Sequence, residues 1–249
     1  MTKRTFHTTG IAGIFLSLAF FFSSSVFISG CSSSSTSPGT TSTVSATDDM
    51  QNNTISGTFQ KAPSPMDGPT VDSMTITKVR VVMSGLHLHV SDETAAGVGS
   101  FMSQPTVVTF VPGSVNSLGS ATVPIGVYTQ MIFDLYSLNP VTDATLIAGN
   151  PAFADFLVGG TATIIVDGSI VKNGTRSTFS YRTGMVRNLK PVFIPSSLIT
   201  VAEQNYSVDL RFDGKIAFAV TSGKALDPTA SENSATIDDQ IAKAFIALH

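Results

Sequence analysis

The chain has 249 residues, of which 14 are Lys or Arg and 17 Asp or Glu, for a formal charge of −3, a length that fits one large domain or two small ones. Only 12% of residues are charged, so the clustered Lys and Arg of a nucleic-acid binder are not expected. One Cys excludes an internal disulfide framework and a Cys-based zinc knuckle. Of the four His, His7 and His249 sit near the two ends, which leaves His87 and His89 for base or metal chemistry.

At the N-terminus, Lys3 and Arg4 precede a charge-free stretch over residues 10–30 that is rich in Ile, Leu and Phe, the order of a secretory signal. The stretch is long enough to span a bilayer, so an uncleaved anchor with Cys31 as a free thiol is the competing reading. Its end, Ile28-Ser29-Gly30-Cys31, resembles the lipobox of bacterial lipoproteins. That resemblance implies cleavage after Gly30, a diacylglycerol thioether on Cys31 and acylation of the new N-terminus. Several acyl chains give the strength that stable anchoring needs. Ser32 stands where Asp would imply inner-membrane retention in Gram-negative systems, so the resemblance points to the outer membrane. Residues 32–53, SSSSTSPGTTSTVSATDDMQNN, are almost devoid of large apolar side chains. They read as a flexible tether reaching to residue 54, with the folded part over 55–249.

Within 55–249, short runs rich in Val, Ile, Thr, Phe and Tyr recur between Gly, Pro and Asn. This predicts a single all-β sandwich of about seven to nine mostly antiparallel strands with a short C-terminal helix. The longest run, 74–90, changes parity twice: Met74 and Ile76, then Val79, Val81 and Met83, then Leu86, Leu88 and Val90. One added residue flips every later side chain, so the run requires a bulge near Lys78 and a break at Gly85. Further strands are expected over 127–138, 191–194 and 206–212, and a hairpin over 161–171 and 175–183 closed by Asn173-Gly174 in a type I′ turn. In Pro124-Ile125-Gly126-Val127-Tyr128, Pro fixes φ and Tyr can bury its ring while its hydroxyl finds a backbone partner at a sandwich corner. Residues 141–160 read as a short helix or a lid over one sandwich end. Ile237, Ile241, Phe245 and Leu248 have helical spacing, with Asp238 and Asp239 in the first turn.

Four segments, Val71-Asp72-Ser73-Met74-Thr75-Ile76-Thr77-Lys78-Val79, Gly85-Leu86-His87-Leu88-His89, Val123-Pro124-Ile125-Gly126-Val127-Tyr128-Thr129-Gln130-Met131 and Tyr206-Ser207-Val208-Asp209-Leu210-Arg211-Phe212-Asp213, are together similar to a bacterial family of lipoprotein β-sandwich domains of unknown function. Members carry a Glu-Leu-His-like triplet, a Pro-x-Gly-x-Tyr-Thr turn and a late Asp-Phe-Asp strand. Gly85 departs from the first of these and Arg211-Phe212-Asp213 follows the last loosely. The resemblance implies fold and cell-envelope location and no particular chemistry.

Chemical groups are sparse. His87 and His89 are two apart and share a face of an extended strand, the placement of two metal ligands, with Asp92 or Glu93 as a third. Alternation with Leu86, Leu88 and Val90 explains the same positions as solvated histidines. The pairs Asp48-Asp49, Asp92-Glu93 and Asp238-Asp239 match no calcium loop. No nucleophile elbow, dinucleotide fingerprint or phosphate loop occurs, so no cofactor is indicated. Phe153, Phe156 and Leu157, beside Asp143 and Asp155, are either a partner contact or a plug for the sandwich end. The expectation is therefore a non-enzymatic cell-envelope lipoprotein that binds a protein or glycan partner and sits on the membrane through its lipid. The alternatives are a metal-binding protein or metal-dependent enzyme using His87 and His89, and a structural subunit of a surface assembly.

Overall fold

A computed structural model describes residues 41–56, 68–90, 98–220 and 223–249. Its strands in chain order are β1 Thr41–Gln51, β2 Thr54–Ser56, β3 Thr70–Val71, β4 Ser73–Val90, β5 Thr106–Phe110, β6 Asn116–Pro124, β7 Gly126–Leu135 and β8 Ile164–Lys172. They continue with β9 Thr175–Thr183, β10 Asn188–Leu189, β11 Phe193–Ile194, β12 Leu198–Thr200, β13 Asn205–Asp213, β14 Ala225–Leu226 and β15 Phe245–Leu248. Three helices, α1 Ala144–Gly149, α2 Gly214–Phe218 and α3 Ser234–Lys243, and a 3-10 turn over Pro151–Leu157 complete the main elements. The fold is an all-β sandwich. Eight of the described strands have five residues or more and the other seven have two to four.

The longest apolar run is one strand, β4, and both parity changes are where the pattern requires them. Its register against β8 slips between Ile76 and Lys78, and against β7 between Ser84 and His87, where Gly85 takes φ +64°. The two slips bend β4 without moving it to another sheet. Val81 pairs with Ile164 of β8 and Val108 of β5, and Met83 with Leu135 of β7 and Thr106 of β5. One edge of β4 is thus shared end to end by β8 and β7, which lets the eight-stranded sheet β10-β7-β4-β8-β9, with β2, β5 and β12 attached, curl around the core. The β8–β9 hairpin turns on Asn173 at φ 50° and Gly174 at φ 75°, the positive pair of a type I′ turn.

The second layer is a five-stranded sheet in the order β11-β15-β13-β1-β6, and it holds the main differences from expectation. The tether expected over 32–53 gives way, from Thr41 on, to β1, which lies parallel to β13 and antiparallel to β6. Val44, Ala46 and Met50 alternate into the core. Its small side chains carry little burial energy, and the strand forms because β6 and β13 supply hydrogen-bonding partners along both edges. Cys31 and the rest of the expected tether lie outside the described residues.

The C-terminal helix ends at Lys243, and Phe245 and Leu248, expected on it, belong to β15. The four apolar residues Phe245-Ile246-Ala247-Leu248 suit either period, and pairing with β13 decides for the strand. Phe245 then sits amid Phe110, Phe133 and Phe212, with ring centroids 5.8, 5.4 and 5.3 Å away. Because α3 begins at Ser234, Asp238 and Asp239 fall in its second turn, not its first. Asp238 accepts from the Tyr181 hydroxyl at 2.6 Å and Asp239 pairs with Arg187 at 2.7 Å.

The sheets join at the corner 124–126. Tyr128 is fully buried and its hydroxyl donates to Pro124 O at 2.6 Å, as its place after the Pro-x-Gly turn suggests. Residues 141–160 form α1 and the 3-10 turn, and they cover the outer face of the eight-stranded sheet, not a sandwich end. There Phe153 and Phe156 pack with Val82, Ile165, Ala162 and Leu138 in a second hydrophobic cluster. Without this cover, Val82 and Ile165 would meet water, a loss of about 1.5–3 kcal/mol for each large side chain.

Candidate binding cleft

Asp48 belongs to β1 and shares the inward parity of Val44, Ala46 and Met50, so the strand carries a carboxylate into the space between the sheets at their β5–β6 margin. It is 1% exposed. Its Oδ1 accepts from the Asn116 backbone N–H at 3.0 Å and from Asn116 Nδ2 at 2.9 Å. Burial pushes its pKa above the ordinary carboxylate value, the two Asn116 hydrogen bonds oppose that rise, and the negative charges of Asp209 and Asp49 add to it. On the opposite face of β1, Asp49 pairs at 3.0 Å with Arg211 of the neighbouring β13, which also meets Asp209 of β13 at 3.4 Å.

Buried Asp48 and exposed Asn116 both line an open cleft of about 630 Å³. One side is β5 and the other is the 101–104 segment, with Ser103, Thr109 and Ser117 presenting polar groups beside Met102. Gly119 fixes that side. It takes φ +127°, and a Cβ there would come within 2.5 Å of Phe101 O, so only glycine lets the segment lie against β6. Phe101 N also donates to Leu86 O at 2.9 Å. Gln104 and Thr106 form a ridge shared with a second cleft of about 600 Å³ bounded by Tyr136, Asp143 and Leu146. The Asn116 carboxamide is oriented through Nδ2, which donates to Asp48 Oδ1 at 2.9 Å and to Thr109 O at 3.4 Å.

The residues singled out from sequence are placed as follows. His87 and His89 share a face of β4, as alternation requires. His87 is half-buried with Nδ1 against Gly85 O. His89 is buried, not solvated, and its Nδ1 and the Oε1 of Gln130, its cross-strand partner, are buried without a hydrogen-bond partner among the described residues. Asp92 and Glu93 lie outside the described residues, and among those described no group of three or more His, Cys, Asp or Glu is arranged to hold a metal. Phe153 and Phe156 are 1% and 0% exposed, which gives them to the core cluster and not to an accessible partner surface. Leu157 is half-buried against the same cluster.

Sequence reasoning missed the cleft because it read Asp48-Asp49 as tether. The signal that could have found it is parity: Ser42, Val44, Ala46, Asp48 and Met50 alternate with Thr43, Ser45, Thr47 and Asp49. Compared with known proteins, the chain matches no family model, no curated protein and no solved structure. The family likeness therefore rests on the four segments quoted for it.

Proposed function

We propose that this is a cell-envelope lipoprotein whose sandwich is a non-enzymatic binding module, and that it holds a neutral glycan across the two adjoining clefts. The observation that carries the reading is the Asp48–Asn116 pair lining a cleft bordered by hydroxyl and amide groups. A carboxylate that orients a carboxamide, with a methionine side chain beside it, matches the alternating hydroxyl and C–H faces of a sugar. Two clefts divided by a low ridge suit a chain of several units better than a single small molecule. A polar segment of a protein partner is the competing ligand, and the shared ridge would serve it equally. The lipobox-like Ile28-Ser29-Gly30-Cys31 and the charged and apolar stretches before it support the envelope location.

The test is binding of the full-length protein to arrays of neutral envelope glycans and of peptides, repeated with Asn116→Ala. Glycan binding that falls at least about tenfold, equivalent to one strong hydrogen bond, supports the reading. Binding to peptides alone favours the protein ligand, and binding that is indifferent to Asn116 moves the site elsewhere. For the anchor, Cys31→Ala is expected to block incorporation of labelled fatty acid and to leave an unprocessed precursor.

A further inference from the structure

Among the described residues, six of the eleven exposed large apolar side chains fall in two short segments: Ile125 and Val127, and Val192, Ile194, Ile199 and Val201, each 42–60% exposed. The other five stand singly in different elements. Val127 and Ile199 are direct cross-strand partners between β7 and β12, with Tyr128 and Leu198 beside them turned inward. Neither 111–133 nor 191–202 contains a charged residue. Lys190 and the exposed Glu203 flank the second segment, and a concentrated apolar surface of this kind marks an interaction site.

The start of β1 says what the patch meets. Thr41, the first residue of β1, pairs with Pro124, one residue before Ile125. Glu203 N donates to Thr41 O at 3.2 Å, and the Ser42 hydroxyl donates to Val201 O at 2.9 Å. The chain therefore enters the sandwich beside the apolar patch. Cys31 and Thr41 are ten Cα–Cα steps apart in sequence, at most about 35 Å of fully extended chain. If Cys31 is in the bilayer, the end of the domain that carries Ile125, Val127, Ile199 and Val201 is the end held toward it.

Resting on the lipid-anchor reading above, we propose that this patch is a membrane-docking surface that seats the sandwich on the lipid headgroup region around its own anchor. Branched aliphatic side chains without charges partition into the interface shallowly, so the patch sets the orientation of the domain and the acyl chains supply the hold. The cleft at Asn116 lies at the other end of β6, nine residues or about 30 Å away, and faces away from the bilayer.

The experiment uses the full chain, purified with its native processing and reconstituted in vesicles of phosphatidylethanolamine and phosphatidylglycerol containing a headgroup nitroxide lipid. A thiol-reactive fluorophore is added to wild type and to Val127→Cys, Ile199→Cys and Val115→Cys, the last an exposed position beside the cleft. The expected result is a wild type that takes up no dye, because Cys31 is a thioether. Dye at Val127→Cys and Ile199→Cys should be quenched several-fold more strongly than dye at Val115→Cys. Equal quenching at the three positions, with wild type dye-free and vesicle-bound, overturns docking and leaves the anchor intact. Dye on wild-type Cys31 together with failure to float overturns the anchor reading, and the docking proposal with it. A blue shift at Val127→Cys that grows with protein density and ignores the nitroxide also overturns it, by placing a second copy on the patch.

Discussion

At Asp227 the carboxylate is 0% exposed and its oxygens are occupied. Lys172 Nζ donates to one oxygen at 2.7 Å, and the Thr229 N–H and hydroxyl donate to the other at 2.9 and 2.6 Å. Burial works to raise its pKa, yet these donors outweigh it and hold the group below the ordinary carboxylate value. At Asp48, almost as buried, the only donors among the described residues come from Asn116, Asp209 and Asp49 add negative charge, and the pKa is raised. Burial alone therefore does not set the direction of an acid's pKa shift, because the difference between the two lies in the donors. Asp227 fastens the 225–233 turn to the sandwich, with Asn233 Nδ2 bridging Pro69 O and Asp227 O at 2.7 and 2.9 Å. Asp48 costs the fold something and lines the cleft.

The largest expected effect is at the fastened acid. Asp227→Ala strands the Thr229 donors and unties Lys172, and should lower unfolding free energy by about 3 kcal/mol in denaturant titrations at pH 7. A loss below 1 kcal/mol would erase the contrast. Acid separates the two groups by sign. The stability from Asp227 is fully present above the unfolded carboxylate pKa of about 3.9 and disappears as pH falls through its lower folded value. The penalty at Asp48 is present above its raised folded value and is relieved as pH falls through it toward the unfolded one. Comparing wild type with Asp48→Asn from pH 7 to pH 4 should thus show the variant's advantage shrinking on acidification; an advantage that grows would reverse the assignment.

Lys172→Met should destabilise less than Asp227→Ala at pH 7, because the Thr229 donors remain, and its effect should vanish once Asp227 is protonated. A pH-independent loss would mean that the Lys172 stem, not its charge, matters. The smallest effect is Asp48→Asn at pH 7, within about 1 kcal/mol of wild type, since an amide oxygen still accepts from Asn116. Unfolding curves and glycan binding measured on the same preparations check both halves of that statement.

What could be read in advance follows from how local the determinants are. The bends of β4 at Lys78 and Gly85, the Asn173-Gly174 turn and the Tyr128 corner are each written within a few residues, because parity, positive φ and a short-range hydrogen bond are local properties. Strand β1 is not: its Ser, Thr and Ala side chains look like linker, and only β6 and β13 make it a strand. Phe245 shows the same limit, since its four-residue apolar run fits a helix or a strand until Phe212 and Leu210 supply the partner. The cleft inherited the first failure, as Asp48 has meaning only once β1 has a face. The histidines were legible as a same-face pair, but the burial of His89 depends on what packs over β4.

The parallel pairing of β1 with β13 joins residues about 160 positions apart, from Thr43 with Asn205 to Gln51 with Asp213. Strand β6 can cover one edge of β1 midway through synthesis, but the other edge stays open until β13 is made near the end. Such late, long-range closure puts this sheet among the slow-folding topologies. It also means that a chain stopped anywhere before residue 205 lacks a partner for one whole edge of β1, so the five-stranded layer forms from a nearly complete polypeptide or not at all.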